Sequence, residues 1–117
     1  MLKIIVSTSS QFTNREVFNE SIDSILNTIN EPATLLLPDY CTKTKAMAIQ
    51  YAKNKNIGIK IIGTHESLKQ QAKAIQTDAI AREGHICLLF QTGKKINIRS
   101  IEKACLKYEK TIRYIRA

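Results

Sequence analysis

The chain has 117 residues, of which 44% are hydrophobic and 24% charged, and its formal net charge at pH 7 is +8. This size and hydrophobic content are those of a single folded domain, residues 1–117, and they exclude an intrinsically disordered chain. No apolar stretch approaches the about 20 residues that a membrane-spanning helix requires. Neither the three cysteines nor the two histidines are spaced as in a disulfide framework or a metal site. We therefore expect a cytoplasmic protein without a membrane partner, metal or cofactor.

Five apolar runs of strand length recur along the chain, at 2–7, 33–38, 59–62, 85–90 and, more weakly, 111–115. The segments between them have helical periodicity. The first helix is predicted to begin at Thr13, which forms a capping box with Glu16, and to end before Pro32. The other three helices are predicted at about 42–55, 64–83 and 97–109, with Gly84 ending the third.

Each predicted helix carries an apolar stripe that we expect to face the core. The stripes are Phe18, Ile22, Ile25 and Ile29; Met47, Ala48, Ile49 and Ala52; Leu68, Ala72, Ile75 and Ala79; and Ile98, Ile101, Cys105 and Tyr108. Strands that alternate with helices predict a parallel sheet covered on both faces. The expected fold is an α/β, three-layer Rossmann-like sandwich with strand order 3-2-1-4-5, in which 111–115 is an edge strand.

Such folds bind ligands at the carboxyl ends of the strands, near the point where the strand order reverses. Three loops are predicted to meet there, and they supply the candidate ligand-binding residues. From the loops after strands 1, 2 and 4 respectively, these are Ser7, Thr8, Ser9 and Ser10; Asp39, Thr42, Lys43 and Lys45; and Gly93, Lys94 and Lys95. Hydroxyls and lysines beside helix N-termini can hold an anion. The same residues also suit ordinary turns and helix caps, and both interpretations remain open.

The loops carry a family resemblance. "STSSQFTN" after strand 1 stands where SLOG-superfamily domains have "TGSRxxxD", and "PDYCTKT" after strand 2 stands where they have a "GGARGAD"-like loop. Gln76 and Thr77 stand at their Arg-Asn pair, and "QTGKKI" at their "PGGxGT", with Gly93 kept. The whole chain thus resembles the small stand-alone members of that superfamily, which is related to LOG phosphoribohydrolases and to nucleotide-sensing modules.

This resemblance implies a nucleotide or nucleotide-derived ligand and, because related domains often form oligomers, self-association. Side chains in place of the glycines prevent the backbone from enclosing a phosphate closely, so contacts by Lys and Thr side chains are expected instead. The carboxylate that LOG-type enzymes use is missing after "QTGKKI". We therefore predict binding without catalysis, with a phosphoribohydrolase-like enzyme of divergent site as an alternative.

Most of the positive charge lies near the C-terminus, where residues 94–117 carry eight Lys/Arg and two Glu. Cations recur there at helical spacing, at Arg99, Lys103, Lys107 and Lys110. A ridge of this kind can bind nucleic acid through its phosphates without reading the sequence. Sequence-nonspecific nucleic-acid association is therefore a second alternative, beside the simpler interpretation of a solvated helix face.

Overall fold

A computed structural model describes residues 1–9, 11–29, 31–39, 42–63, 72–92 and 98–116. Strands and helices alternate along them. The strands are β1 (Leu2–Thr8), β2 (Ala33–Pro38), β3 (Gly58–Ile62), β4 (Ile86–Gln91) and β5 (Thr111–Arg116). The helices are α1 (Arg15–Leu26), α2 (Thr42–Lys55), α3 (Ala72–Glu83) and α4 (Arg99–Lys107).

The strands form one sheet in the order β3-β2-β1-β4-β5. Every neighbouring pair is parallel, and β1 lies in the centre, where Ile5 pairs with Leu36 of β2 and with Cys87 of β4. The predicted fold class and strand order are therefore confirmed. The continuous apolar runs of the central strands fit this arrangement, because both of their faces are covered.

Two buried clusters cover the two faces of the sheet. On one face, Ile4 and Val6 of β1 pack with residues of α1 and α2. On the other, Ile5 packs with residues of α3 and α4. We call these the front face and the back face. Because side chains alternate along a strand, each later residue of β1 can be assigned to one of them.

The sequence located the helices well but was partly wrong about their buried sides. The N-cap of α1 is Asn14, whose side chain accepts a hydrogen bond from Val17 N at 3.1 Å, rather than Thr13. Ile49 and Ile75, both predicted to be inward, are 44% and 40% exposed. The stripes of α1 and α4 are confirmed at Phe18, Ile22, Ile25, Ile98, Ile101 and Cys105.

The described part of α3 is buried through Gln76, Thr77, Ile80 and Ala81. Leu68 lies outside the described residues. The periodicity argument missed this face because two of its four members are polar, so the apolar residues alone indicated a helix rotated the wrong way. Two polar residues are thus buried against the back of the sheet.

Gly84 permits a close approach of α3 to β1. A Cβ atom at this position would lie 2.3 Å from both Cγ1 and Cδ1 of Ile5 and 3.3 Å from the carbonyl oxygen of Ile80. Real side chains do not approach so closely, and Ile5 is fully buried in the core. The glycine predicted as a helix stop is therefore also a packing requirement.

Within the described ranges, every helix is too short or too polar to cross a membrane.

Candidate ligand-binding site

The end of β1 is buried, although it carries consecutive hydroxyl side chains. Ser7 and Ser9 are 0% exposed and Thr8 is 3% exposed. The Thr44 hydroxyl of α2 accepts a hydrogen bond from Thr8 N at 3.2 Å, and the two threonine hydroxyls are 2.8 Å apart. The contacts between Thr8 and Thr44 thus hold the first turn of α2 against the central strand.

Ser9 fastens β1 to the end of β4. Its backbone N–H donates to the Phe90 carbonyl at 2.8 Å. Its hydroxyl donates to the Thr92 carbonyl at 3.0 Å and accepts from Thr92 N at 2.9 Å. These bonds cross the point where the strand order reverses, and they join the two strands there. The Ser9 hydroxyl therefore has its partners inside the protein.

Ser7 points to the back face and differs from its neighbours. Its Oγ is buried and has no hydrogen-bond partner among the residues that the structure describes. Gln76 and Thr77 of α3 are buried against the same face, one helical turn before Ile80 and Ala81. A buried hydroxyl without a partner costs folding free energy, so this polar layer departs from the apolar packing found elsewhere in the core.

The loop after β2 presents an ion pair. Lys45 Nζ lies 2.9 Å from Asp39 Oδ1, and the Asp39 side chain is 58% exposed. The Asp39 backbone N–H donates to the Ile62 carbonyl at 3.1 Å, which continues the pairing of β2 with β3. Thr42 is exposed as the first residue of α2. Asp39 and Lys45, both candidate ligand-binding residues, are thus already paired with each other.

A concave groove of about 270 Å³ lies on the front face, between the start of α1 and the start of α2. We call it the front groove, and its lining residues are Phe12, Thr13, Arg15, Lys43, Ala46 and Met47. Arg15 and Lys43 are exposed cations in the first turns of the two helices, whereas Phe12 and Met47 are buried and form an apolar floor. Neither Asp nor Glu is among these lining residues.

The floor of the front groove is fixed by the core. The ring centroids of Phe12 and Phe90 are 5.2 Å apart, and Phe18 contacts the same Phe90 ring at 4.9 Å. Phe12 N also donates to the Ser9 carbonyl at 3.1 Å. The groove is therefore formed by the same contacts that anchor the end of β1.

Of the predicted ligand-binding residues, Lys43 lines the front groove. Thr8 and Ser9 instead hold the surrounding elements together, and Asp39 and Lys45 pair beside them. Ser10, Gly93, Lys94 and Lys95 lie outside the described residues. The sequence argument missed Phe12, Thr13, Arg15, Ala46 and Met47, because only the packing of α1 beside α2 brings them together. The position of Arg15 directly after the Asn14 cap was the available signal.

The carboxylates of Asp78 and Glu16 lie on opposite faces of the sheet and do not form a catalytic pair. Asp78 accepts a hydrogen bond from Tyr108 Oη at 2.7 Å and lies 3.6 Å from Lys107 Nζ, on the back face. The Tyr108 hydrogen bond, with the nearby positive charge of Lys107, lowers the pKa of Asp78. Glu16 is exposed in the first turn of α1. Across the described ranges, no group of three His, Cys, Asp or Glu is placed to hold a metal ion.

Two of the three cysteines meet in the back-face core. Cys87 and Cys105 are free and buried. The hydrogen bond between them, together with burial, raises the pKa of Cys87. The protonated thiol is unreactive, so Cys87 is a packing residue. Cys41 lies outside the described residues.

A second groove of about 280 Å³ lies between α1 and β5, also on the front face, and it is lined by Glu20, Ser21, Ser24, Leu88, Arg113 and Ile115. It contains none of the predicted ligand-binding residues, and it combines one cation with one acid. The front groove is therefore the better candidate for an anionic ligand.

The chain matches no protein-family profile, no curated protein and no solved structure. The likeness to SLOG domains, self-association and cytoplasmic location therefore stay predictions. The function has to be argued from the geometry of the site.

Proposed function

We propose that the protein binds a phosphate-bearing small molecule, a nucleotide or a nucleotide-derived signal, in the front groove and does not transform it. The observation that carries this proposal is the position of two exposed cations, Arg15 and Lys43, at the N-termini of two helices on one concave surface. The resemblance to SLOG domains supports the same ligand class.

The electrostatics of the groove favour an anion. Helix N-termini present unpaired N–H donors and partial positive charge, and each contributes about 0.3–1 kcal/mol toward a nearby anion. Hydrogen bonds from a charged donor contribute about 1.5–3 kcal/mol. Both cations contribute in the same direction, since none of the described residues that line the groove is a carboxylate. A phosphate group beside Arg15 and Lys43 gains both contributions, from the helix N-termini and from hydrogen bonds with charged donors.

The shape and floor of the groove limit the rest of the ligand. Its volume of about 270 Å³ lies just below the range of about 300–1,000 Å³ for small-molecule pockets. This size suits a mononucleotide better than a dinucleotide. Met47 and Ala46 supply apolar surface on which a base or sugar can pack.

The positions of the acidic side chains favour binding without hydrolysis. Glycosidic cleavage needs a carboxylate near the anomeric carbon. Asp39 is paired with Lys45, and Asp78 lies on the opposite face of the sheet from the groove. The alternative of a phosphoribohydrolase therefore has no carboxylate in the front groove to carry it.

Titration calorimetry with AMP, cyclic AMP and ADP-ribose tests the proposal, and adenosine serves as the phosphate-free control. We expect at least one phosphate-bearing ligand to bind at least about tenfold more tightly than adenosine, about 1.4 kcal/mol. Lys43→Gln is expected to weaken that binding by about tenfold. Lys53→Gln removes the same charge at the other end of α2 and should leave it unchanged.

Failure of all three phosphates to bind, or equal loss in both variants, would refute the proposal. Chromatography of the same mixtures, which detects free base, tests whether the ligand is bound without being hydrolysed. Release of adenine from AMP would show that the protein is a hydrolase rather than a binding module.

A further inference from the structure

We propose that the outer side of α4 is a docking surface for the phosphate backbone of double-stranded nucleic acid, independent of the front groove. We call this surface the basic ridge, and its residues are Arg99, Lys103, Lys107 and Lys110. The groove lies on the front face and α4 on the back face, so the two surfaces are separate.

Packing fixes the direction in which the ridge points. Ile98, Ile101 and Cys105 are 0% exposed and hold the opposite side of α4 in the core. Arg99, Lys103 and Lys107 are therefore exposed along one outward line. Residues four apart on a helix are about 6 Å apart along its axis, close to two axial steps of about 3.4 Å along one nucleic-acid strand.

Two acids near the ridge are engaged with neighbouring groups, whereas a third, Glu109, is exposed between Lys107 and Lys110. Glu102 Oε2 accepts a hydrogen bond from Tyr114 Oη at 2.6 Å. Asp78 is shared between Tyr108 and Lys107. Within the part of the chain that the structure describes, Arg99 and Lys103 form neither an ion pair nor a hydrogen bond with a side chain. Two cations at the start and middle of the ridge are thus available to phosphates.

The positive surface continues beyond the helix. Lys110 Nζ donates to the Arg82 carbonyl at 3.4 Å, which holds it beside the exposed end of α3. Arg116 is exposed on β5, the edge strand against which α4 packs, whereas Arg113 of the same strand lines the second groove on the front face. For the residues described, most of the excess charge noted in residues 94–117 therefore lies along α4, the turn after it and the edge strand β5.

Nucleic acid fits this surface better than a lipid membrane. An interfacial helix inserts a broad apolar face among the lipids. Ile101 and Cys105 of α4 are already buried against the sheet, and Leu106 is the large apolar side chain that α4 exposes. Lys and Arg contacts to phosphates position a duplex without reading its bases. Binding should therefore be independent of sequence and strongly weakened by salt.

The salt dependence can be estimated from the number of cations. When Lys107 exchanges its exposed 3.6 Å pair with Asp78 for a phosphate, all four ridge cations contact the duplex. Four phosphate contacts give a slope of log affinity against log salt of about −3.6, so affinity falls about 150-fold between 50 and 200 mM salt. Charge reversal of Arg99 and Lys103 leaves two contacts and a slope of about −1.8. The same increase in salt then costs only about 12-fold.

Fluorescence anisotropy with two 20-base-pair DNA duplexes of unrelated sequence tests the proposal at both salt concentrations. We expect similar affinities for the two duplexes and the steeper slope for the natural chain. Arg99→Glu/Lys103→Glu should lower affinity at 50 mM salt at least tenfold and flatten the slope. Among the described residues these two side chains have no partner to lose, so the variant should remain folded.

Lys53→Glu/Lys55→Glu is the matched control, since it changes the net charge equally but in the last turn of α2, on the front face and outside the front groove. Its affinity for duplex should fall less than threefold. Three results would overturn the proposal: no duplex binding at 50 mM salt, equal loss in both double variants, or binding to phosphatidylserine vesicles in place of duplex. The front-groove proposal is tested by a different ligand and different residues, so either can fail alone.

Discussion

The contact between Thr8 and Thr44 offers a sharp test of how the site is assembled. Thr44→Val removes the acceptor of Thr8 N at 3.2 Å and the hydroxyl that lies 2.8 Å from Thr8 Oγ1. Thr8→Val removes only the contact between hydroxyls, because the Thr44 hydroxyl still accepts from the backbone N–H. The two substitutions are nearly equal in volume, so packing changes little in either variant.

The expected costs therefore differ in a defined direction. Loss of one hydrogen bond costs about 1 kcal/mol of unfolding free energy, whereas a buried N–H left without an acceptor costs about a further 1–3 kcal/mol. We expect Thr44→Val to destabilise the protein by about 2–4 kcal/mol and Thr8→Val by about 1 kcal/mol. Urea unfolding followed by circular dichroism measures both. Equal losses, or a larger loss for Thr8→Val, would show that Thr44 does not accept the Thr8 N–H.

Two further predictions concern packing and charge. Gly84→Ala should destabilise the protein by about 1–3 kcal/mol through overpacking against Ile5. In an Ile5→Ala background this penalty should nearly vanish, which a double-mutant cycle of urea unfolding measures. An equal penalty in both backgrounds would contradict the close approach of Gly84 to Ile5. Hydrogen bonds from Lys60 at 2.7 Å and Lys3 at 3.0 Å lower the pKa of Glu83 below 4.5, so its stabilising effect is full above pH about 5 and is lost as the pH falls through the lowered pKa. Wild type and Glu83→Gln should then differ in melting temperature at pH 7 and converge as the pH falls through the lowered pKa of Glu83. A difference that stays constant with pH would rule out this linkage.

The strand order was predictable because the local signals agreed with the tertiary structure. Apolar runs such as 33–38 and 85–90 are continuous, which only a strand buried on both faces explains. Right-handed crossovers then leave few possible orders. The same order placed β5 at an edge, which agrees with its weaker, alternating pattern and with the exposed Arg113.

The orientation of α3 was not predictable in the same way. Periodicity counts apolar residues, but α3 buries Gln76 and Thr77 and exposes Ile75. Nothing local distinguishes a buried glutamine from an exposed one. Whether a polar group can be buried depends on the partners that the rest of the fold provides.

The candidate site was only partly predictable for a related reason. The sequence shows that hydroxyls follow β1, but it does not show whether they face a ligand or other parts of the chain. In the structure the Ser9 hydroxyl forms two hydrogen bonds to Thr92. Arg15 and Lys43 are 28 positions apart, and only the pairing of β1 with β2, which sets α1 beside α2, makes them neighbours.

The outermost strand β5 also bears on how copies of this protein can associate. The backbone N–H and C=O groups on its outer side face away from the sheet, and such edge strands can pair with a strand of another chain. Two copies joined there would bring Arg113 and Arg116 of each close to the same cations of the other, and this repulsion opposes growth into fibres. An assembly of this protein is therefore expected to form through its helices or through β3, not by prolonging the sheet at β5.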